Sequence, residues 1–141
     1  MRFGKQKIKT SGADKWFSKY IRYRDKWTCQ NPKCNKEFDP KNGKERRRLH
    51  CAHIGYGRAH IPTRWEALNC MALCINCHDW LDQHPMRAFW LMSQKLSHEE
   101  LVWLQLQYKG RTRGRIPKHV EKEAREKYKK ICRGMGIKYV D

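Results

Sequence analysis

The sequence lacks any long apolar segment. No window approaches the roughly 18 consecutive apolar residues that suggest a membrane-spanning helix, and the basic start MRFGKQKIKT lacks the apolar core of a secretory signal. These absences predict a cytoplasmic protein with no membrane partner. In a reducing cytoplasm, closely spaced cysteines bind metal more often than they form disulfides.

The sequence is also short of acidic residues. It has 32 Lys and Arg against 14 Asp and Glu, which gives a formal net charge of +18. Such a charge repels itself in the compact state unless a polyanion offsets it, and phosphate binding gains affinity from released counterions. We therefore predict a nucleic-acid partner and no small organic cofactor. A ribosomal-type structural protein or a solubility surface would also be basic, but neither explains the clustered Cys and His.

The apolar content of the chain is modest for its length. Of 141 residues, 39% are hydrophobic and 33% are charged, and a small core often needs a disulfide or metal to stabilise it. We predict an α+β protein with three parts and no internal repeats. They are a flexible basic arm over 1–13, a metal-stapled domain with flanking helices over 14–108, and a basic linker with a C-terminal helix over 109–141.

Periodicity and capping signals predict the local elements. Asn42-Gly43 is a hairpin-turn signal. In chain order we expect a helix from Asp14 to about Lys26 capped by Asp14, a strand over 46–54, a helix from about Cys74 through Leu81, a helix opening at Pro85, a helix after the capping box at Ser97, and a helix over 117–133.

Four of the seven cysteines form two closely spaced pairs, Cys29-x4-Cys34 and Cys74-x2-Cys77. Two thiolates on one short turn can bind the same ion, and a second pair from a distant segment completes a tetrahedron. This spacing predicts one structural zinc site with four cysteine ligands. The alternative is four unrelated buried thiols.

The histidines form a second pattern, between and beside the cysteine pairs. A predicted strand carries His50 and His53, Asn69 precedes the second pair, and His78 follows Cys77 at once. This order resembles the HNH nucleases, which have a ββα-metal fold. The segments DKWFSKYIRYRD over 14–25, HCAH over 50–53 and TRW over 63–65 resemble more narrowly the phage NinG (Rap) recombination nucleases.

Hydrolysis of a phosphodiester needs a base that deprotonates water and a cation that stabilises negative charge. His53 is the predicted general base, because histidine titrates near neutral pH. The resemblance implies that Asn69 orients the loop and the His53 ring, and that His78 binds the catalytic cation. It also implies a phage-encoded enzyme, in the host cytoplasm, that acts on branched or recombination DNA.

One position departs from the family, which usually has an Asp or His metal ligand immediately before the base. Here that residue is Ala52. His50 lies on the same strand face and is the predicted replacement, and Asp82, four residues after His78, is a third candidate ligand. The expected catalytic ion is Mg²⁺ or Mn²⁺, and a histidine-rich site would also accept Ni²⁺ or Zn²⁺.

Arg58 and Arg64 lie between the base and Asn69, where they would clamp DNA phosphate or would simply be solvated charges. The prediction is thus a metal-dependent DNA endonuclease. One alternative is a zinc module that binds DNA or RNA without catalysis. A second is a structural RNA-binding protein.

Overall fold

The computed structural model describes residues 9–110 and 115–137. These residues form an α+β fold with one two-stranded antiparallel sheet. The elements are α1 (Gly12–Arg24), α2 (Gly43–Arg46), β1 (Leu49–His53), β2 (Cys70–Cys74), α3 (Ile75–Gln83), α4 (Pro85–Lys95), α5 (His98–Leu106) and α6 (Lys118–Gly134), with 3-10 turns over Ile61–Thr63 and Ala67–Asn69.

The N-terminal helix begins two residues before its predicted start. Ser11 is the N-cap, and its hydroxyl accepts a hydrogen bond from the Asp14 N–H while the Asp14 carboxylate accepts one from the Ser11 N–H. This reciprocal pair satisfies two N–H groups that have no partner within the helix. Asp14 is therefore the third helical residue, and the prediction that it caps the helix is wrong. The predicted basic arm is shortened accordingly, and its residues 1–8 lie outside the described residues.

The predicted hairpin turn at Asn42-Gly43 is wrong. Asn42 instead caps α2, because its side-chain oxygen accepts hydrogen bonds from the N–H groups of Lys44 and Glu45. Asn42 has φ −91°, whereas the usual Asn-Gly hairpin turn needs positive φ at both central residues. The helical turn also delays the strand, which starts at Leu49 instead of residue 46.

The two strands pair from Leu49 opposite Cys74 to His53 opposite Cys70. Helix α3 follows β2 without a loop, so the fold has a strand–strand–helix unit. Cys74 caps α3, and its sulfur accepts a hydrogen bond from the Cys77 N–H at 3.4 Å. The end of the sheet and the start of α3 are thereby fixed to each other.

Helical layers cover both sides of the strand pair. One apolar cluster joins strand residues such as Leu49 and Leu73 to Leu81 of α3 and Leu91 of α4. The other joins Cys70 to helices α1 and α6. In that cluster the Phe17 ring meets the Tyr128 ring edge-on at 4.9 Å. The C-terminal helix is therefore part of the packed core beside α1. No helix of the described residues has the length and apolar character needed to cross a bilayer.

Candidate functional site

The four predicted cysteines come together. The sulfur atoms of Cys29, Cys34, Cys74 and Cys77 all lie within 4.8 Å of one another. A tetrahedral zinc with bonds of ~2.3 Å would separate its sulfur ligands by about 3.8 Å, and Cys34 Sγ lies 3.9 Å from Cys74 Sγ. The predicted four-cysteine set is confirmed as a group that could hold a metal ion such as zinc.

Backbone hydrogen bonds shape the first cysteine turn. The Cys29 N–H donates to the Lys36 carbonyl, and the Cys34 N–H donates to the Asn31 carbonyl, both at 2.9 Å. Asn35 has φ 51°, a left-handed conformation that Asn adopts more readily than most residues. The Asn31 amide also donates to Cys77 Sγ at 3.4 Å. The two cysteine pairs are therefore connected by a polar contact that favours negative charge on sulfur.

The acidity of the thiols indicates why a cation would stabilise this cluster. Burial raises the pKa of Cys29 to about 11 and also raises the pKa of Cys77. Burial acts in the same direction on Cys74, but hydrogen bonds from the Cys77 backbone and neighbouring thiols outweigh it and lower that pKa. Protons therefore remain on buried sulfurs until a divalent cation replaces them.

The cysteine cluster also fixes the position of His78, which follows Cys77 on the first turn of α3. His78 Nδ1 lies 3.0 Å from Nδ1 of His50 on β1, and the ring planes are inclined by 83°. With bonds of ~2.1 Å, two nitrogens 3.0 Å apart would subtend about 90° at a shared cation. Burial and the neighbouring His78 lower the pKa of His50, which favours the neutral form that binds metal.

Asp82 occupies a different position from the one predicted for it. Its Oδ1 lies 4.0 Å from Nε2 of His78, which is the ring nitrogen on the side away from His50. The three predicted ligands therefore do not converge on one point. A carboxylate behind a histidine instead suits the orientation of that ring, because ligating histidines commonly donate their second N–H to such a group.

His53 is the last residue of β1 and lies apart from His50 and His78. Side chains alternate along a strand, so His53 faces away from His50. Its ring lies 6.2 Å from the Phe17 ring of α1. Nε2 of His53 is 2.8 Å from the Arg64 carbonyl oxygen. Because that oxygen can only accept, Nε2 carries the proton and Nδ1 holds the lone pair.

The environment of His53 favours a neutral ring. Burial lowers its pKa most, the positive charges of Arg58 and Arg64 lower it further, and the Arg64 carbonyl and the Asp14 carboxylate oppose them. Among the described residues, the one buried side-chain nitrogen or oxygen without a hydrogen-bond partner is Trp27 Nε1. Nδ1 of His53 also has no hydrogen bond within the described residues, but it is not one of the buried atoms. It therefore reaches solvent and could accept a proton.

Asn69 organises the loop that follows the base. It is fully buried, and its amide donates to the carbonyls of Tyr56 at 2.8 Å and Thr63 at 3.3 Å while its oxygen accepts the Tyr56 N–H at 2.7 Å. A Cβ at Gly55 would lie 2.5 Å from that oxygen, so glycine permits the close approach. Asn69 thus holds the loop directly, whereas its effect on His53 passes through Thr63 and the adjacent Arg64 carbonyl.

Arg64 is not the surface phosphate clamp that we considered. It is 4% exposed, and its guanidinium donates to both carboxylate oxygens of Asp14, at 3.0 and 2.5 Å. The guanidinium is held inside the protein, while the carbonyl of the same residue holds His53. Arg58 is half-buried, and its charge acts on His53. Its predicted phosphate contact stays a prediction.

The roles of Asp14 and Trp65 were not predicted from the sequence. The Trp65 indole N–H donates to Asp14 Oδ1 at 2.9 Å, across about fifty residues of chain. The spacing Ser11-x-x-Asp14, a capping-box signal, could have indicated that Asp14 is constrained. Comparisons with family models, with curated proteins and with solved structures give no match to this chain.

Proposed function

We propose that the protein is a metal-dependent DNA endonuclease of the HNH type, which binds one structural zinc through its four clustered cysteines. The observation that supports this most is the strand–strand–helix unit, in which His50 of β1 and His78 of α3 approach to 3.0 Å. His53 ends the same strand, with one ring nitrogen fixed by a backbone carbonyl and the other open. Three extended residues span about 10 Å, so a phosphodiester at the strand end can reach both features.

In this mechanism His53 is the general base. Nδ1 accepts a proton from the attacking water, and the resulting imidazolium keeps its Nε2–H bond to the Arg64 carbonyl. His50 and His78 would hold a divalent cation, which would supply positive charge to stabilise the scissile phosphate and leaving oxygen. Asp82 orients His78 from behind the ring. Asn69 maintains the loop that presents the Arg64 carbonyl.

DNA is the proposed substrate because the chain carries a net charge of +18. Contacts to phosphates supply affinity without reading sequence. Exposed lysines on α6, including Lys118, Lys122 and Lys130, add to this charge. The resemblance to phage recombination nucleases directs the choice of substrates to be compared, which are linear duplex, nicked duplex, branched junctions and single strands.

The test is nicking of supercoiled plasmid by zinc-loaded protein with Mg²⁺, with Mn²⁺ and without added metal. His53→Ala should reduce cleavage by on the order of 10²–10⁴-fold, while zinc content and DNA affinity stay at wild-type levels. His78→Ala should also reduce cleavage, and excess Mn²⁺ should partly restore it. No metal should restore His53→Ala.

His98→Ala is the matched control, because His98 is exposed at the start of α5. It should cleave like wild type. Normal cleavage by His53→Ala would overturn the assignment of the base. Equal cleavage by wild type in excess chelator, with zinc still bound, would overturn the metal-dependent mechanism.

A second candidate function is a zinc-containing module that binds nucleic acid without cleaving it. Two observations favour it. The His50 and His78 nitrogens are close enough to satisfy each other with one hydrogen bond, and the cysteine set is the one group of three or more metal donors among the described residues. Tight, salt-dependent DNA binding without cleavage of any of the four substrates would select this function.

A further inference from the structure

The carboxylate of Asp14 is the centre of a buried hydrogen-bond network. It accepts bonds from the Ser11 N–H at 2.8 Å, the Trp65 indole at 2.9 Å and the Arg64 guanidinium at 3.0 and 2.5 Å. Asp14 is 7% exposed and Arg64 is 4% exposed. A two-point contact between a planar guanidinium and a carboxylate fixes both position and angle.

This network lies directly behind the residue that holds His53. Arg64 uses its side chain on Asp14 and its carbonyl oxygen on His53 Nε2, at 2.8 Å. The next carbonyl, that of Trp65, accepts a hydrogen bond from the Tyr128 hydroxyl of α6 at 2.7 Å. Helices α1 and α6 therefore both hold the Arg64–Trp65 segment, and His53 contacts the same segment through the Arg64 carbonyl.

The Asp14–Arg64 ion pair fixes the position of these side chains more than it stabilises the fold. Burial alone would raise the pKa of Asp14, but hydrogen bonds and charge from Arg64, with the Ser11 and Trp65 bonds, lower it overall. The carboxylate is therefore ionised at neutral pH. Buried ion pairs often contribute little net stability, because desolvation offsets their attraction. Their fixed geometry remains.

We propose that Asp14 is a positioning residue for His53. By holding Arg64 with both carboxylate oxygens, it aims the Arg64 carbonyl at Nε2 and so keeps the ring proton there, with Nδ1 free as the base. The catalytic meaning of this assignment rests on the proposed nuclease function. The effect on the tautomer of the His53 ring does not depend on that function, because the network exists in the protein without DNA.

The test reads the His53 ring directly, by ¹⁵N NMR of zinc-loaded protein without DNA or added catalytic cation. Wild type should show one neutral tautomer with the proton on Nε2. Asp14→Asn keeps the size of the side chain and one acceptor oxygen but turns an N–H₂ group or a neutral oxygen toward Arg64. The His53 ring should then become a mixture of both tautomers.

Asp25→Asn is the matched control. Asp25 directly follows α1 and accepts two hydrogen bonds from an arginine, Arg24, at 2.9 and 3.1 Å and one from the Ala72 N–H at 2.8 Å, but Asp25 is not part of the network behind His53. Its substitution should leave the His53 tautomer unchanged. Should Asp14→Asn fail to fold, Arg64→Lys decides, because lysine keeps the charge and loses the two-point contact. An unchanged Nε2–H tautomer in the folded variant would overturn the proposal.

Cleavage gives the second readout. Asp14→Asn should lower kcat by about 10–100-fold, as loss of a supporting contact does in other sites, with KM unchanged. Asp25→Asn should keep kcat within about twofold after correction for folded fraction. If wild type does not cleave DNA, the nuclease function fails while the tautomer result still decides the role of Asp14. If the tautomer shifts and kcat does not, Asp14 orients His53 but His53 is not the base.

Discussion

Asn69→Asp replaces one nitrogen by oxygen at a fully buried position, and it tests the geometry around the candidate base. In the wild type, the Asn69 amide donates to the Tyr56 and Thr63 carbonyls. A protonated aspartate could donate to only one of these two acceptors, and an ionised aspartate would direct an oxygen at them and lose both hydrogen bonds. It keeps only the bond from the Tyr56 N–H. The substitution conserves volume, so its cost is electrostatic and not a cavity.

The magnitude follows from the burial of the new carboxyl group. Full burial raises a carboxyl pKa by roughly 3–5 units, and each unit is worth about 1.4 kcal/mol. At pH 7 the free energy of unfolding should therefore fall by roughly 4 kcal/mol, a large share of the total stability of a domain. Because the folded-state pKa of the new carboxyl exceeds its unfolded value, the deficit is smallest below about pH 4 and grows as pH rises toward the folded value.

Urea unfolding at pH 5 and pH 7, with zinc in excess, measures this deficit as the difference between variant and wild type. The deficit should be about 2.7 kcal/mol larger at pH 7. Asn42→Asp makes the same chemical change at the exposed cap of α2 and should alter stability by less than about 0.5 kcal/mol, since Asp caps helices as well as Asn. A pH-independent deficit for Asn69→Asp, or one below about 1 kcal/mol at pH 7, would refute the hydrogen-bond arrangement described above.

Three further predictions concern the metal, the base and the partner. Metal analysis should find one tightly bound zinc. Cys74→Ser should lose the zinc and thermal stability, whereas Cys51→Ser, which lies outside the cluster, should retain both. Zinc retained by Cys74→Ser would contradict the cluster. The nicking rate at saturating Mn²⁺ should rise with pH through an apparent pKa below 6.5, because burial lowers the pKa of His53 and the base must be neutral; a midpoint well above that value would argue against His53. Duplex DNA affinity should fall steeply with salt, and Lys122→Ala and Lys130→Ala should each reduce the slope by about one. Deleting α6 is not equivalent to replacing its lysines, because Tyr128 of α6 is buried in the core. A DNA affinity that does not depend on salt would exclude a phosphate partner.

Much of the local structure was predictable from the sequence, because its signals are local. The start of α4 at Pro85 and the capping box at Ser97 are confirmed, and α3 begins at Ile75, one residue after its predicted start at about Cys74. Each depends on a backbone group satisfied within a few residues. The two cysteine pairs were also predictable, because their spacing is short and four soft ligands satisfy one ion.

The predictions that were wrong also depended on local signals, and the neighbouring residues favoured a different local structure. Asn42-Gly43 can close a hairpin, but it needs a strand on each side, and residues 43–46 are helical. Ser11 competes with Asp14 as the cap of α1. Both residues suit that position, and the three-residue spacing favours Ser11 at the cap.

Only the tertiary structure decided how the predicted site residues are grouped. The sequence offered His50, His78 and Asp82 as one ligand set, but the rotation of α3 places Asp82 behind His78. It left Arg64 open as a surface charge, but Arg64 is buried because Asp14 neutralises it from a helix fifty residues away. The spacing of residues in the sequence determines which contacts residues within one turn can make. Which side of a ring or a guanidinium faces a partner depends on how distant helices pack, and that packing placed the Arg64 carbonyl against His53.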